Sequence, residues 1–196
     1  MSRWEPDAKG RLEQAALSLY QERGYEQTTV TEIAERAGLT ERTFFRHFTD
    51  KREVIYGLQD DVLKECLLAI STASNTATPI EMIMIALESL VPMLRERHTV
   101  TRLRQSVIAA NPALQERELL KLAIITRALA DALKGRGIPD EAASLAANTG
   151  DLVFRTAYAH WLAEQDAPDL SKEIQESFNQ LKNLLTNGCN TDRVCP

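Results

Sequence analysis

Signals that start and stop helices recur at nearly every pause along the 196 residues, and they constrain the fold more than any other feature. Thr29-Val30-Thr31-Glu32 is a capping box, in which the hydroxyl covers an open N–H and the glutamate reaches back, and Thr78-Pro79-Ile80-Glu81 starts another helix. Pro79 occupies the first helical position, where its missing N–H costs nothing. Asp50-Lys51-Arg52-Glu53 repeats the logic with Asp as the cap, opening a fourth helix through Val54, Ile55, Leu58 and Val62. The first helix spans about 7–23, with Leu12, Ala16, Leu19 and Tyr20 on one face, and Gly24 ends it. Ile33, Ala34 and Ala37 face inward from a second helix that stops at Gly38. Phe44, Phe45 and Phe48 belong to a third that starts after Thr40. Beyond a polar loop at 71–78, helices begin at Pro79 and Pro112, the latter reaching about Lys134; two more cover about 140–164 and 169–186. Pro92 is expected to kink or split the helix it interrupts. No segment alternates as a strand does. The expectation is an all-α chain of about nine helices: a three-helix N-terminal domain at 1–67 and a larger antiparallel helical bundle at 68–196.

Hydrophobic residues make up 44% of the chain and charged residues 26%, enough apolar material for a real core. No apolar run has the length of a membrane span, so no membrane partner is expected. Met1-Ser2-Arg3-Trp4-Glu5-Pro6-Asp7 lacks the features of a secretory leader, and Cys66, Cys189 and Cys195 are too scattered for a disulfide framework. Both point to a reducing cytoplasm. The formal net charge of −5 argues against a nucleic-acid partner when read globally. Locally the balance reverses: Arg36, Arg42, Arg46, Lys51 and Arg52 face only Glu41 and Asp50 between positions 36 and 52.

The second helix, the Gly38-Leu39-Thr40 break and the third helix make a helix-turn-helix. In that geometry the second of the pair lies in the DNA major groove with its N-terminal residues nearest the base edges. It offers Thr40, Glu41, Arg42, Thr43, Arg46 and His47, while its phenylalanines anchor the opposite face. The string Ala16…Gly24-Tyr25…Thr28-Thr29-Val30…Glu32-Ile33-Ala34…Ala37-Gly38-Leu39…Thr43-Phe44-Phe45-Arg46-His47-Phe48…Asp50-Lys51 resembles the N-terminal domain of the TetR family of transcriptional repressors. The resemblance implies double-stranded DNA as a partner. It places Thr29 and Lys51 at phosphate contacts on helix N-termini. By the same likeness Thr43, Arg46 and His47 touch phosphate or base edges, and Glu41, Arg42 and Thr31 reach bases. Phe45 departs from the pattern. The family commonly has tyrosine there, whose hydroxyl contacts phosphate, and phenylalanine must lose that contact or replace it with packing.

The resemblance further implies a C-terminal domain that binds a small molecule and pairs two protomers through its last two helices. Ile174, Phe178, Leu181 and Leu185 form a narrow apolar seam in the last helix. The helix before it mixes Ala142, Ala143, Ala146, Ala147, Gly150, Ala157 and Ala159 with Leu152, Val153, Phe154 and Trp161. These two helices either complete an intrachain core or pair across a two-fold axis, and a helix-turn-helix dimer favours pairing. Such a homodimer spaces its reading helices by about 34 Å and calls for a palindromic operator. Met82, Met84 and Met93 fall in one short segment and suit an adaptable apolar pocket as well as ordinary core filling. Arg95, Arg97, His98, Arg102 and Arg104 form a second basic cluster, read first as a solvated face and otherwise as an anion site. The strings 108–118 and Phe154-Arg155-Thr156-Ala157…Trp161-Leu162 resemble a subclass linked to fatty-acyl or other lipophilic effectors. The candidate effector contacts are Met82, Met93, Arg104, Phe154 and Trp161. The effector is expected to act through the fourth helix as a lever.

Other classes draw less support. His47, His98 and His160 are far apart, no Cys-x-x-Cys occurs, and no phosphate-binding glycine loop is present, so neither enzyme, metal nor cofactor is expected. His160, beside Trp161 and Asp166, reads as a packed interfacial histidine rather than a base. The alternative regulator responds to a protein partner, or to oxidation of Cys189 and Cys195 in the polar tail.

Overall fold

The computed structural model describes residues 7–164 and 169–187, and among these there is no strand. Ten α-helices follow one another: α1 Ala8–Arg23, α2 Val30–Arg36, α3 Glu41–His47, α4 Gln59–Thr72, α5 Pro79–Ser89, α6 Val91–Glu96, α7 His98–Ala109, α8 Pro112–Gly135, α9 Asp140–Ala163 and α10 Leu170–Asn187, with a 3-10 turn at Glu53–Tyr56. The fold is all-α. The expected capping box forms, with Thr29 and Glu32 bonded reciprocally, and the structure adds a second one at Thr78 and Glu81.

Two places set the helix boundaries, one as expected and one not. Pro92 splits its helix: α5 ends at Ser89 and α6 begins at Val91. The fourth helix does not start at Asp50. Asp50 folds back on its own turn, accepting from the N–H groups of Arg52 (2.7 Å) and Glu53 (3.2 Å). The carbonyls that a continuous helix would use next are taken from outside, Ile55 by Arg104 Nε at 2.7 Å and Gly57 by Lys9 Nζ at 2.6 Å. A short 3-10 turn results, and α4 begins only at Gln59.

The chain divides into two compact units, residues 1–62 with 99–121, and residues 63–98 with 122–196. This differs from a continuous split at 67/68. In the first unit, Leu12, Ala16, Tyr20, Ile33, Phe44, Phe48 and Ile55 share one core with Val107, Ile108 and Leu114. The end of α7 and the start of α8 thus complete the core beneath the helix-turn-helix. Tyr56 OH donates to Leu114 O (2.6 Å), and Glu53 accepts from Arg117 (2.8 Å) and Lys121 (2.9 Å). Burial pushes the Glu53 carboxyl up, but its hydrogen bonds to Lys121 and Arg117 outweigh this and hold it below the usual carboxylate range.

In the second unit, α9 packs against both α5 and α10. Its small residues Ala143, Ala146, Ala147 and Ala157 are buried within the chain, and a Cβ built on Gly150 would lie 2.3 Å from Ile83 Cγ2 of α5. The small-residue face therefore seats α5, not a partner subunit. Gly150→Ala is expected to lower stability by about 1–3 kcal/mol through overpacking, read as a shifted urea midpoint with unchanged slope. On the α10 side, Glu88 of α5 accepts from Ser171 Oγ (2.7 Å) and Gln175 Nε2 (2.8 Å). Arg136 closes the end of α4 by donating to Ile70 O (2.5 Å), Ala73 O (3.0 Å) and Asn75 Oδ1 (2.7 Å). No helix among the described residues is long and apolar enough to cross a membrane.

Candidate nucleic-acid interface

The turn between α2 and α3 needs glycine. Gly38 adopts φ +65°, a left-handed conformation that L side chains rarely take, and its N–H closes on Glu35 O at 2.9 Å. Leu39 N–H then bonds Ala34 O (2.8 Å), and Thr40 caps α3 by accepting from Thr43 N–H (3.2 Å). Arg11 donates to Ala37 O and ties the end of α2 to α1. Phe44 and Phe48 are buried, fixing α3 by one face and leaving Glu41, Arg42, Phe45, Arg46 and His47 exposed on the other. Thr31 Oγ1 donates to Glu41 Oε1 (2.5 Å), so the first turn of α3 is tethered to α2.

The basic run resolves into paired and unpaired cations. Arg36 makes a two-pronged bond to Glu22, both contacts 2.9 Å, and that hydrogen bonding holds the Glu22 carboxyl below its ordinary range. Arg52 is spent on Asp50 at 2.7 Å. Lys51 donates to three carbonyls, Tyr25 O (2.9 Å), Glu26 O (3.2 Å) and Thr28 O (3.0 Å), with its ammonium 4.4 Å from the Tyr25 ring centre. Burial pushes the Tyr25 hydroxyl up to about 12. Arg42 and Arg46 remain, with no hydrogen bond or ion pair to any described residue. Thr29 is engaged in its capping box: its N–H and hydroxyl both reach Glu32 Oε2, at 2.9 and 3.0 Å, and hold that carboxyl below its usual range. Thr40 and Thr43 hydroxyls lie 3.1 Å apart.

Two expected contact residues have partners within the chain. The helix start expected at Lys51 is a 3-10 turn instead, and the Lys51 ammonium donates to the loop before α2. Arg104, an expected effector contact, lies in the first unit, bonded to Ile55 O and to Glu118 Oε2 (2.6 Å), and over the Tyr56 ring at 5.4 Å. Sequence reasoning could not have found the Arg36–Glu22 and Arg104–Glu118 pairs, because each joins residues of different helices with no periodic relation.

The remaining effector candidates sit in the second unit. Met82 and Trp161 are buried in its core, whereas Met93 and Phe154 are half-buried. Phe154 stacks on Tyr158 with ring centres 5.4 Å apart. His98 is not part of a solvated face: it is buried, with Nε2 3.2 Å from Trp161 O and its ring edge-on to Trp161 at 4.5 Å. His160 is exposed on the single chain and sits 3.6 Å from Glu173, and Asp166, Cys189 and Cys195 lie outside the described residues. Among the described residues, no three His, Cys, Asp or Glu converge as a metal site.

The family described as bacterial regulatory proteins, tetR family, matches residues 13–56, and that described as the MftR C-terminal domain matches 77–186, more than half of the chain. The HTH-type transcriptional regulator TcmR of Streptomyces glaucescens is 32% identical over 88 residues, which cover 45% of this chain and 39% of that protein. The match thus spans about two fifths of the relative's length. A transcriptional regulator of Aquifex aeolicus VF5 superposes with a TM-score of 0.57 at 21% identity, covering 90% of this chain and 99% of that one. Thermus thermophilus FadR, a repressor crystallised with lauroyl-CoA, superposes with a TM-score of 0.54 at 22% identity, covering 96% and 98%. These two likenesses carry the fold. The chain belongs to the TetR family of DNA-binding transcriptional regulators.

Proposed function

We propose that the chain is a ligand-responsive repressor that binds a palindromic operator as a homodimer, one α3 per half-site, and is released by a small lipophilic effector. The observation that carries the DNA reading is the pair of guanidiniums, Arg42 and Arg46, that no described residue engages, on the exposed face of a helix whose other face is locked in a core. A guanidinium suits guanine O6 and N7, which it meets with two parallel bonds, and Glu41 is an acceptor for cytosine N4. Dimerisation is supported by large apolar side chains left exposed on the last two helices, Leu145 and Leu152 of α9 and Leu184 and Leu185 of α10. The effector reading draws on the FadR complex and on Met93 and Phe154, half-buried in the second unit. Signal transfer has a physical route in the Glu53–Arg117 and Glu53–Lys121 pairs, which tie the turn after α3 to the early turns of α8.

Selection of duplexes from a random pool tests this. The wild-type protein is expected to enrich a two-fold-symmetric sequence, and Arg46→Ala to lose about tenfold in affinity while relaxing preference at one base pair per half-site. Enrichment of no symmetric sequence would overturn the reading.

A further inference from the structure

We infer that Phe45 reads the 5-methyl group of a thymine in the major groove, which makes it a specificity-determining residue of α3. The inference rests on the operator-binding reading above. Phe44 and Phe45 lie on this short helix and Phe48 follows it directly; Phe44 and Phe48 are buried, but Phe45 is 55% exposed. It shares the free face with Arg42 and Arg46, the residues available to the duplex. Helical side chains lean toward the N-terminus, so the Cα–Cβ bond of Phe45 points back over the turn that carries Glu41 and Arg42. That is the part of a reading helix nearest the base edges.

The ring is also held in place. Phe44 meets it edge-to-face, with centres 5.4 Å apart and planes at 81°, and Phe44 is itself fully buried. Docking Phe45 against DNA therefore costs little side-chain freedom. Its chemistry narrows the target. Phenyl has no donor, so it cannot bond a phosphate, and against phosphate it would only strip water from a charge. The edges of guanine, cytosine and adenine present polar groups in the major groove, whereas thymine adds a methyl. An exposed, preset phenyl on the reading face matches that methyl.

The test uses the duplex that the full-length wild-type protein selects from a random pool, with each thymine in turn replaced by deoxyuridine, which removes only the methyl. Wild type is expected to lose about fourfold in affinity at one thymine per half-site, the value of one buried methyl group. Phe45→Ala is expected to bind the unmodified duplex more weakly and to be indifferent to deoxyuridine at that position, while keeping the wild-type response to base-pair changes elsewhere. Because the side chain is largely exposed, its thermal melt should stay close to wild type. A wild-type protein indifferent to every deoxyuridine, or a Phe45→Ala variant with the same penalty at the same position, overturns the inference but leaves DNA binding intact. Selection of no duplex at all overturns the operator reading and this inference with it.

Discussion

Replacing Lys51 with methionine is expected to lower the unfolding free energy by about 2–3 kcal/mol and operator affinity by more than tenfold, while leaving the salt dependence of binding nearly unchanged. An ammonium has three N–H donors, and Lys51 spends one each on Tyr25 O, Glu26 O and Thr28 O. Its own carbonyl accepts from Tyr20 OH at 2.7 Å, so the residue is fixed at both ends. The loop it holds runs from Gly24, at φ +87°, to Thr28, whose hydroxyl donates to Gly24 O at 2.9 Å; Thr29, the cap of α2, follows directly. Without the ammonium, three carbonyls lose a charged partner and α2 loses its fixed starting point. Affinity then falls because the helix-turn-helix is displaced, not because a phosphate contact is gone. A phosphate-binding lysine behaves otherwise: its removal lowers the salt slope by about one unit and spares stability. Lys51→Arg sharpens the contrast. A planar guanidinium serves a phosphate as well as lysine does, but its rigid fork does not fit a site where three carbonyls converge on the single nitrogen of an ammonium. The arginine variant should therefore resemble the methionine one in denaturant. A stable Lys51→Met protein with a slope reduced by one unit would reverse the assignment.

What the sequence made legible was local. A hydroxyl and a glutamate three residues apart wrote the start of α2, Pro79 at a first helical position wrote that of α5, and Gly24 and Gly38 mark turns where the backbone adopts positive φ. The reading helix itself emerged from its apolar and polar stripes. What stayed hidden depends on partners distant along the chain. Ile55 O and Gly57 O are withdrawn from a helix by Arg104 and Lys9, 49 and 48 residues away, and no periodicity announces that. Lys51 looked like a free cation beside a helix start because the carbonyls that claim it lie in a loop 23 to 26 residues earlier. The alanines and Gly150 of α9 declared a close helix contact, but not whose helix would fill it; α5 does. Among the effector candidates, hydrophobicity picked out Met82 and Trp161, yet hydrophobicity also selects the core, which is where both sit. Arg104 carries the charge an anion site needs, and the same charge binds Ile55 O and Glu118 within the first unit.

The second large effect is expected from Leu184→Glu combined with Leu185→Glu. The apolar seam of α10 changes character along its length: Ile174 is buried within the chain, Phe178 and Leu181 are half-buried, and Leu184 and Leu185 are 74% and 78% exposed. Leu145 and Leu152 of α9 are exposed as well. Leucines left in water forgo about 1.5–3 kcal/mol each relative to burial, so a face carrying several of them is strongly favoured to meet its own copy across a two-fold axis. Glutamate is nearly as good a helix former as leucine, and neither side chain is part of the intrachain core. The helix should therefore persist while like charges confront each other across the axis. Sedimentation should show a monomer where wild type is expected to run as a dimer, and the melting temperature should stop rising with protein concentration. Each α3 then engages its half-site alone, and operator affinity should fall by roughly a hundredfold or more, since the second half-site is no longer bound within one assembly. A double variant that stays dimeric and binds like wild type would show that these leucines lie outside the pairing surface and would move it to other faces of the second unit.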